Sequence, residues 1–395
     1  MQNSQTNNVR SANRRSFLRK GALGAGAVVG ISLLPNQATA LDDRDNSPLN
    51  RGDVAILTFL SALEQVEADL WIQYAELGGA TNQGLSPIDL QLNGKKIRTG
   101  LSAGYIAALE VLDGDMPQYI ADNTDDEISH HQFLNNYLMS KGAPPVDLSR
   151  FAVIAPSKVS GVPQNGRLTN LQMLTIDTSW WTRFRSATAN PDFGGTFENA
   201  VPDLAKAPHT AIPITDADAV LNADGSIPNH IQAIASTAGF HFAFIEQGAT
   251  SLYPAMAQKA SSLEVLRLLL SIGGSEIMHF QTWHDKAGNA PNITVGNLTF
   301  PDLNNGIDPN TGASGAADEF QTNLIMPEPT LFLDSRLGPV SIIRPTSTAQ
   351  GGAVASVVSF VKDGLFLNSA TGKNTGIVDV LMALAEAADN ATRST

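Results

Sequence analysis

The segment Glu127–His130 reads Glu-Ile-Ser-His, and the segment Glu276–His279 repeats the pattern as Glu-Ile-Met-His. In each segment a carboxylate and an imidazole lie three residues apart, which places them on one helical face about one turn apart. Each segment lies within a stretch whose apolar spacing predicts a long helix. Two such faces that meet can hold metal ions between them, so the repeated motif predicts a metal site inside a helical bundle.

A second glutamate precedes each motif and is followed seven residues later by a tyrosine. The pairs are Glu67 with Tyr74 and Glu246 with Tyr253. Seven residues make nearly two turns, so each tyrosine is predicted on its glutamate's face, about 10 Å farther along the helix. Glu64 is an alternative ligand to Glu67, but the matched tyrosine spacing favours Glu67. The order Glu, Glu-x-x-His, Glu, Glu-x-x-His is expected of a di-iron or di-manganese carboxylate four-helix bundle.

Capping residues, glycines and prolines predict where the four long helices begin and end. The predicted helices run from Asp53 as N-cap to Gly78, from Pro117 to Gly142, from Ser226–Pro228 to Tyr253, and from Ser261–Ser262 to Gly288. All of the predicted ligands then lie near the middle of a helix. One alternative stays open, since Thr124–Glu127 also matches a capping box, which would place Glu127 at a helix start.

The connections between the helices differ in length. A short turn joins the third and fourth helices, so these two are predicted to be antiparallel neighbours. The second and third helices are separated by residues 143–227, which include a predicted helix over 168–188. A bundle with one long crossover has the ferritin-like topology.

The carboxy-terminal region, residues 291–395, is predicted to decorate the bundle over residues 41–290. Short strands are predicted at 293–295, 298–300, 331–333 and 340–343, and a closing helix over 375–390. The region is predicted to pack on the bundle or on a second subunit, which allows for a homo-oligomer. The fold class is therefore mainly α, a ferritin-like four-helix bundle followed by short strands and a terminal helix.

Residues 1–40 have the layout of a twin-arginine export signal. Arg14 and Arg15 lie in a basic segment, an apolar run extends over Gly21–Leu34, and Ala38–Ala40 supplies a small-x-small cleavage site. A membrane anchor is the alternative, but about 14 apolar residues are too few to span a bilayer. The sequence therefore predicts export by the twin-arginine route to the periplasm or the medium, with no membrane span after signal removal.

Charge and cysteine content exclude several classes of function. The net charge of the chain is −13, and residues 1–40 carry five basic and no acidic residues, so the rest carries −18. Such a surface argues against a nucleic-acid partner. Because the chain has no cysteine, any metal must be bound by oxygen and nitrogen ligands.

The order and spacing of these motifs resemble the ferritin-like superfamily, which includes rubrerythrins, bacterioferritins and manganese catalases. Within it, the chain resembles the exported ferritin-like domain proteins related to desiccation-associated proteins. The resemblance implies two divalent metal ions, Fe or Mn. It also implies that Glu127 and Glu276 bridge the ions, that Glu67 and Glu246 each cap one, and that His130 and His279 each bind one.

These features predict redox chemistry on peroxide or dioxygen, with Tyr74 and Tyr253 as hydrogen-bonding groups or redox relays beside the metals. The alternative is a non-catalytic stress or desiccation-related protein that uses the bundle as a binding scaffold. Two other histidines are predicted outside the ligand set. His131 points about 100° away from His130 on its helix, and His241 is predicted to be a packed core residue.

Overall fold

The computed structural model describes residues 48–80, 90–92, 94–184, 194–303 and 351–394, together with 325–326, 334, 336 and 340–341. This part of the chain is mainly helical, as predicted. The predicted export signal lies outside the described residues, as do the predicted strand 331–333 and residues 342–343. None of the described helices is both long and apolar enough to cross a lipid bilayer.

Eight α-helices are present in the described residues. They are α1 (Arg51–Gly78), α2 (Ala103–Glu110), α3 (Met116–Ser140), α4 (Ser179–Arg183), α5 (Asn229–Ala257), α6 (Leu263–Ala287), α7 (Ala353–Lys362) and α8 (Ile377–Asp389). Four of them, α1, α3, α5 and α6, correspond to the four long helices that the sequence predicts. Glu127 lies in the middle of α3, and Thr124 donates its hydroxyl to the Ile120 carbonyl at 2.6 Å within that helix, so the predicted alternative of a capping box is wrong.

Two predicted helix ends are wrong. The N-cap of α1 is Asn50, whose Oδ1 accepts the Asp53 amide at 2.8 Å, and not Asp53. Asp53 lies in the first turn and accepts the amides of Ser261 and Ser262, both at 2.9 Å, at the turn between α5 and α6. The predicted end of α5 at Tyr253 is also wrong, because this helix continues through Pro254 to Ala257. Its last turn therefore tolerates a residue without an amide hydrogen.

The long helices associate as two antiparallel pairs. In the first pair, the Ala80 amide at the end of α1 donates to Pro117 near the start of α3, at 2.8 Å. In the second, the Thr250 hydroxyl of α5 donates to the Glu276 carbonyl of α6 at 3.2 Å. A stacked aromatic cluster joins the pairs, with ring centroids 4.9 Å apart for Trp71 and Phe242 and 5.2 Å apart for Trp71 and Trp283.

The contacts also fix the directions of the helices. Glu64 contacts Tyr253 and Tyr74 contacts His241, so α1 and α5 are antiparallel. Because α1 is antiparallel to both α3 and α5, the helices α3 and α5 run in the same direction. A long connection must therefore carry the chain from one end of the bundle to the other, and residues 141–228 do so.

This connection is mostly irregular. The predicted helix over 168–188 is wrong, since only Ser179–Arg183 is α-helical and residues 185–188 lie outside the described part. Tertiary hydrogen bonds hold the backbone away from the helical conformation. Asp69 accepts the amides of Leu168 and Thr169, both at 3.0 Å, and the Leu174 amide donates to the His209 carbonyl at 2.8 Å.

Short strands and two helices complete the described fold. The strands form four antiparallel two-stranded pairs: β1 (Gln91–Leu92) with β2 (Lys95–Lys96), β3 (Ile293–Val295) with β4 (Leu298–Phe300), β5 (Ile325–Met326) with β6 (Val340–Ser341), and β7 (Leu367–Asn368) with β8 (Lys373–Asn374). The predicted strands 293–295 and 298–300 and the predicted closing helix are confirmed, the latter as α8. Helix α7 was not predicted. It packs on α5 and α8 packs on α1, so both lie against the bundle.

Candidate metal centre

The two Glu-x-x-His motifs face each other between α3 and α6. Because these helices are antiparallel, the histidine of each motif lies beside the glutamate of the other. Glu127, Glu246 and Glu276 are fully buried and Glu64 is 1 % exposed. Carboxylates buried this deeply require compensation by protons or cations.

The first ligand group surrounds His130. Its Nδ1 lies 3.2 Å from Glu127 Oε2, 3.2 Å from Glu276 Oε1 and 3.4 Å from Glu64 Oε2. The donor atoms of these four residues all lie within 4.8 Å of one another. Three carboxylate oxygens and one imidazole nitrogen thus converge from α1, α3 and α6, and this set could hold a metal ion.

The second ligand group surrounds His279. Its Nδ1 lies 3.1 Å from Glu127 Oε1, 3.4 Å from Glu246 Oε2 and 3.6 Å from Glu276 Oε2. These four residues meet the same 4.8 Å limit. Glu127 and Glu276 therefore belong to both groups, and each directs one oxygen toward each histidine.

Unpaired buried atoms show that the residues fit a cation. Glu64 Oε2, Glu246 Oε2, both carboxylate oxygens of Glu276 and His279 Nδ1 make no hydrogen bond of good geometry, although water does not reach them. Buried polar atoms are normally hydrogen-bonded, so orphaned acceptors that converge on one point indicate a missing positive partner. Oxygen and imidazole donors suit Fe, Mn or Zn.

Asp126 orients one of the two histidines. Its Oδ2 lies 3.2 Å from Nε2 of His279, on the side of the ring away from the ligand group. A carboxylate there holds the proton on Nε2, so the lone pair of Nδ1 faces the centre. Asp126 was not predicted from the sequence, although this residue directly precedes Glu127 of the motif.

Asn123 connects the two pairs of helices behind the ligands. Its amide nitrogen donates to Glu127 Oε1 at 2.8 Å and to Glu246 Oε1 at 2.9 Å. Its amide oxygen accepts the indole N–H of Trp283 at 2.7 Å. Asn123 was also missed, yet it lies four residues before Glu127 and so on the same helical face.

Glu67, which the tyrosine spacing favoured, lies outside both ligand groups, and the alternative Glu64 lies in the first group. Neither tyrosine hydroxyl bonds to the glutamate seven residues before it, so the matched spacing does not reflect a contact within one helix. The Tyr253 hydroxyl donates to Glu64 Oε1 on the other helix pair. The Tyr74 hydroxyl lies 2.6 Å from Nδ1 of His241. Glu67 is still buried, as a fifth carboxylate beside the two groups.

The pKa values show how the cluster balances its charge with protons. Burial raises the pKa of Glu64 to about 8, and it raises the pKa values of Glu67 and Glu246 well above the ordinary range. Burial opposes the charge on His130 and His279, but the surrounding carboxylates outweigh it and raise both imidazole pKa values. Protons on these groups occupy the place that metal cations can take.

Glu276 is the exception among these carboxylates. Burial favours its neutral form, but the nearby imidazoles of His130 and His279 outweigh that effect and hold its pKa well below the usual range. A carboxylate that is already ionised between two imidazoles is suited to bridging two cations.

Two cavities lie on one side of the centre. The inner one, about 10 Å³, is lined by Glu64, Glu67 and Tyr253 among others, and is large enough for one water-sized molecule. The outer one, about 180 Å³, shares Leu252 and Phe360 with it. Small molecules thus have a place beside the ligand Glu64.

Two further histidines lie outside both ligand groups, where the sequence predicted them. His241 is fully buried, and burial lowers its pKa to about 3. Burial also lowers the pKa of His131, to about 4. Both imidazoles are therefore neutral near pH 7.

The chain matches no known family model, no curated protein and no solved structure.

Proposed function

We propose that the chain is an exported ferritin-like protein with a dinuclear Fe or Mn centre that performs redox chemistry on peroxide or dioxygen. The observation that carries the proposal is the double use of Glu127 and Glu276, each of which offers one oxygen to each histidine. A single structural ion would need only one of the two groups. The ligands of the two positions are then Glu64 with His130 and Glu246 with His279.

Bound Fe or Mn ions supply electron transfer to and from a small oxidant. Side chains around the ligands orient them by hydrogen bonds and can transfer protons. Asp126 fixes the tautomer of His279, and Asn123 holds one oxygen each of Glu127 and Glu246. The Tyr253 hydroxyl donates to Glu64 beside the inner cavity, where it can pass a proton to or from a molecule bound there. Tyr74 bonds to His241 and is assigned a packing role.

The size of the inner cavity supports a small oxidant as the substrate. About 10 Å³ beside Glu64 admits a molecule the size of water and is too small for an organic substrate. Peroxide disproportionation suits an exported protein, because it requires no reductase partner.

A non-catalytic stress-related scaffold is the second candidate. The observation in its favour is the enclosure of the centre, since the ligand carboxylates are almost completely buried. In that case the metals only stabilise the packing of the two helix pairs.

One experiment separates the two candidates. The chain is expressed with iron or manganese supplementation, the bound metal is counted by mass spectrometry, and oxygen release from hydrogen peroxide is measured with an oxygen electrode. We expect two ions per chain and oxygen release that Glu276→Gln abolishes. Glu264→Gln, on the same helix but with a side chain that is 44 % exposed, is the matched control and should retain both. Two ions without turnover would support the scaffold, and fewer than two would contradict a dinuclear centre.

The export proposal has its own test. Replacing Arg14 and Arg15 together by lysine should keep the chain in the cytoplasm of a host with a twin-arginine system. Unchanged export of this variant would refute the twin-arginine route.

A further inference from the structure

The outer cavity has walls of unlike chemistry. Helices α4, α5 and α7 border about 180 Å³, and the lining includes the charged Arg183 and Asp177 as well as the apolar Leu252 and Phe360. The volume is many times that of one water molecule, so it can accept a small organic molecule.

Arg183 is the feature of this cavity that lacks an explanation within the fold. Its guanidinium packs over the Phe184 ring at 5.2 Å. Its Nε and Nη2 atoms are buried and have no hydrogen-bond partner among the described residues. A buried guanidinium normally pairs with a carboxylate, as Arg167 does with Glu76 at 2.6 Å in this chain. Burial accordingly lowers the pKa of Arg183, to about 10.

The nearby Asp177 does not meet this need. Its Oδ1 accepts the Ser179 amide at 2.9 Å, and no ion pair within 4.0 Å joins it to Arg183 among the described residues. Arg183 therefore lines the cavity with two guanidinium nitrogens, Nε and Nη2, that are buried and without a hydrogen-bond partner among the described residues. The planar group that matches such donors is a carboxylate.

We propose that the outer cavity binds a small organic carboxylate, whose charged end pairs with Arg183 and whose apolar body contacts Leu252 and Phe360. The hydroxyl of Ser179 supplies a further donor at the charged end, whereas the Ser251 hydroxyl already donates to the Gln247 carbonyl at 2.9 Å. Because Leu252 and Phe360 also line the inner cavity, the apolar body lies next to the ligand side of the candidate metal centre. This site goes beyond the proposed function and does not depend on bound metal.

The test uses benzoate as the probe on the full chain, titrated by isothermal calorimetry after chelation of metal and again after metal loading. Benzamide, which has the same shape without the charge, and inorganic phosphate are the comparison ligands. We expect benzoate to bind in both states and to bind more tightly than benzamide or phosphate. Arg183→Met should weaken benzoate binding by about tenfold or more, because charge-assisted hydrogen bonds are lost.

Two further variants make the result decisive. Arg150→Met removes an exposed arginine that also packs over a phenylalanine ring, at 4.6 Å, and should leave benzoate binding unchanged. Asp177→Asn removes a negative charge that competes with the ligand for Arg183. This variant should bind benzoate more tightly and benzamide with unchanged affinity. The comparison tests the proposal even if Arg183→Met fails to fold. Any one of three results would overturn the proposal. They are no benzoate binding at millimolar concentration, equally tight binding of benzamide and benzoate, and equal benzoate affinity of Arg183→Met and Arg150→Met.

Discussion

Glu64 offers a direct measurement of how the buried carboxylates behave in the metal-free protein. Burial raises its pKa from 4.5 to about 8, against the opposing charge of His130. Between these two pH values the folded protein keeps a proton that the unfolded chain has released. The stability that Glu64 contributes is complete below pH 4.5 and is lost as the pH rises toward 8. The slope is about 1.4 kcal/mol per pH unit.

Glu64→Gln removes the titrating group and keeps an oxygen that can accept the Tyr253 hydroxyl. We expect the free energy of unfolding of the wild type, relative to this variant, to fall by about 2 kcal/mol between about pH 5 and about pH 6.5. This interval does not exceed the ordinary pKa of histidine, so His130 contributes little to the difference.

The assay is urea unfolding with a chelator present, followed by tryptophan fluorescence and far-ultraviolet circular dichroism at each pH. Glu110→Gln alters an exposed glutamate and is the control, for which no change with pH is expected relative to the wild type. Parallel pH dependence of the wild type and Glu64→Gln would mean that Glu64 is ionised in the metal-free interior, and the reasoning from burial would be refuted.

Three further outcomes are expected. Glu127→Ala should abolish metal binding at both positions, because the two oxygens of Glu127 face two different histidines. Glu246→Ala should abolish binding at one position only. Equal losses of metal per chain in the two variants would contradict this expectation. Asp126→Asn should weaken binding at His279 by about 10–100-fold in chelator competition, while His131→Ala should change little. Asn50→Ala should lower the free energy of unfolding by about 1 kcal/mol in urea, because α1 loses its N-cap, and an unchanged value would deny the cap that role.

Periodicity predicted the long helices well because it reports burial along each helix. The motif Glu127–His130 and its repeat could be placed on helices from spacing alone, and the glycine at position 288 correctly marked the end of α6. The predicted helix over 168–188 was wrong for a physical reason. Its backbone amides are satisfied by Asp69 and by neighbouring segments, and a local pattern does not contain these tertiary partners.

The part of the candidate site that could be predicted from the sequence is the repeated Glu-x-x-His motif, which supplies Glu127 with His130 and Glu276 with His279. Glu64 and Glu67 lie on the same face of α1, and it is Glu64 that accepts the hydroxyl of Tyr253, which reaches α1 from α5. Spacing within one helix cannot reveal a contact between helices. Asn123 and Asp126 were missed for the same reason, since their partners Glu246 and His279 lie on the opposite helix pair.

The two halves of the centre differ in how their histidines are supported. Asp126 contacts Nε2 of His279, the ring nitrogen that faces away from the ligand group. The carboxylate contacts of His130 in the described chain all involve Nδ1. Imidazole that is pre-oriented in this way binds a cation with less loss of rotational freedom. In the proposed dinuclear centre, the position at His279 should therefore fill first when metal is scarce, and a singly loaded species should be isolable. Two such ranked positions would also allow two different metals to be loaded in a defined order.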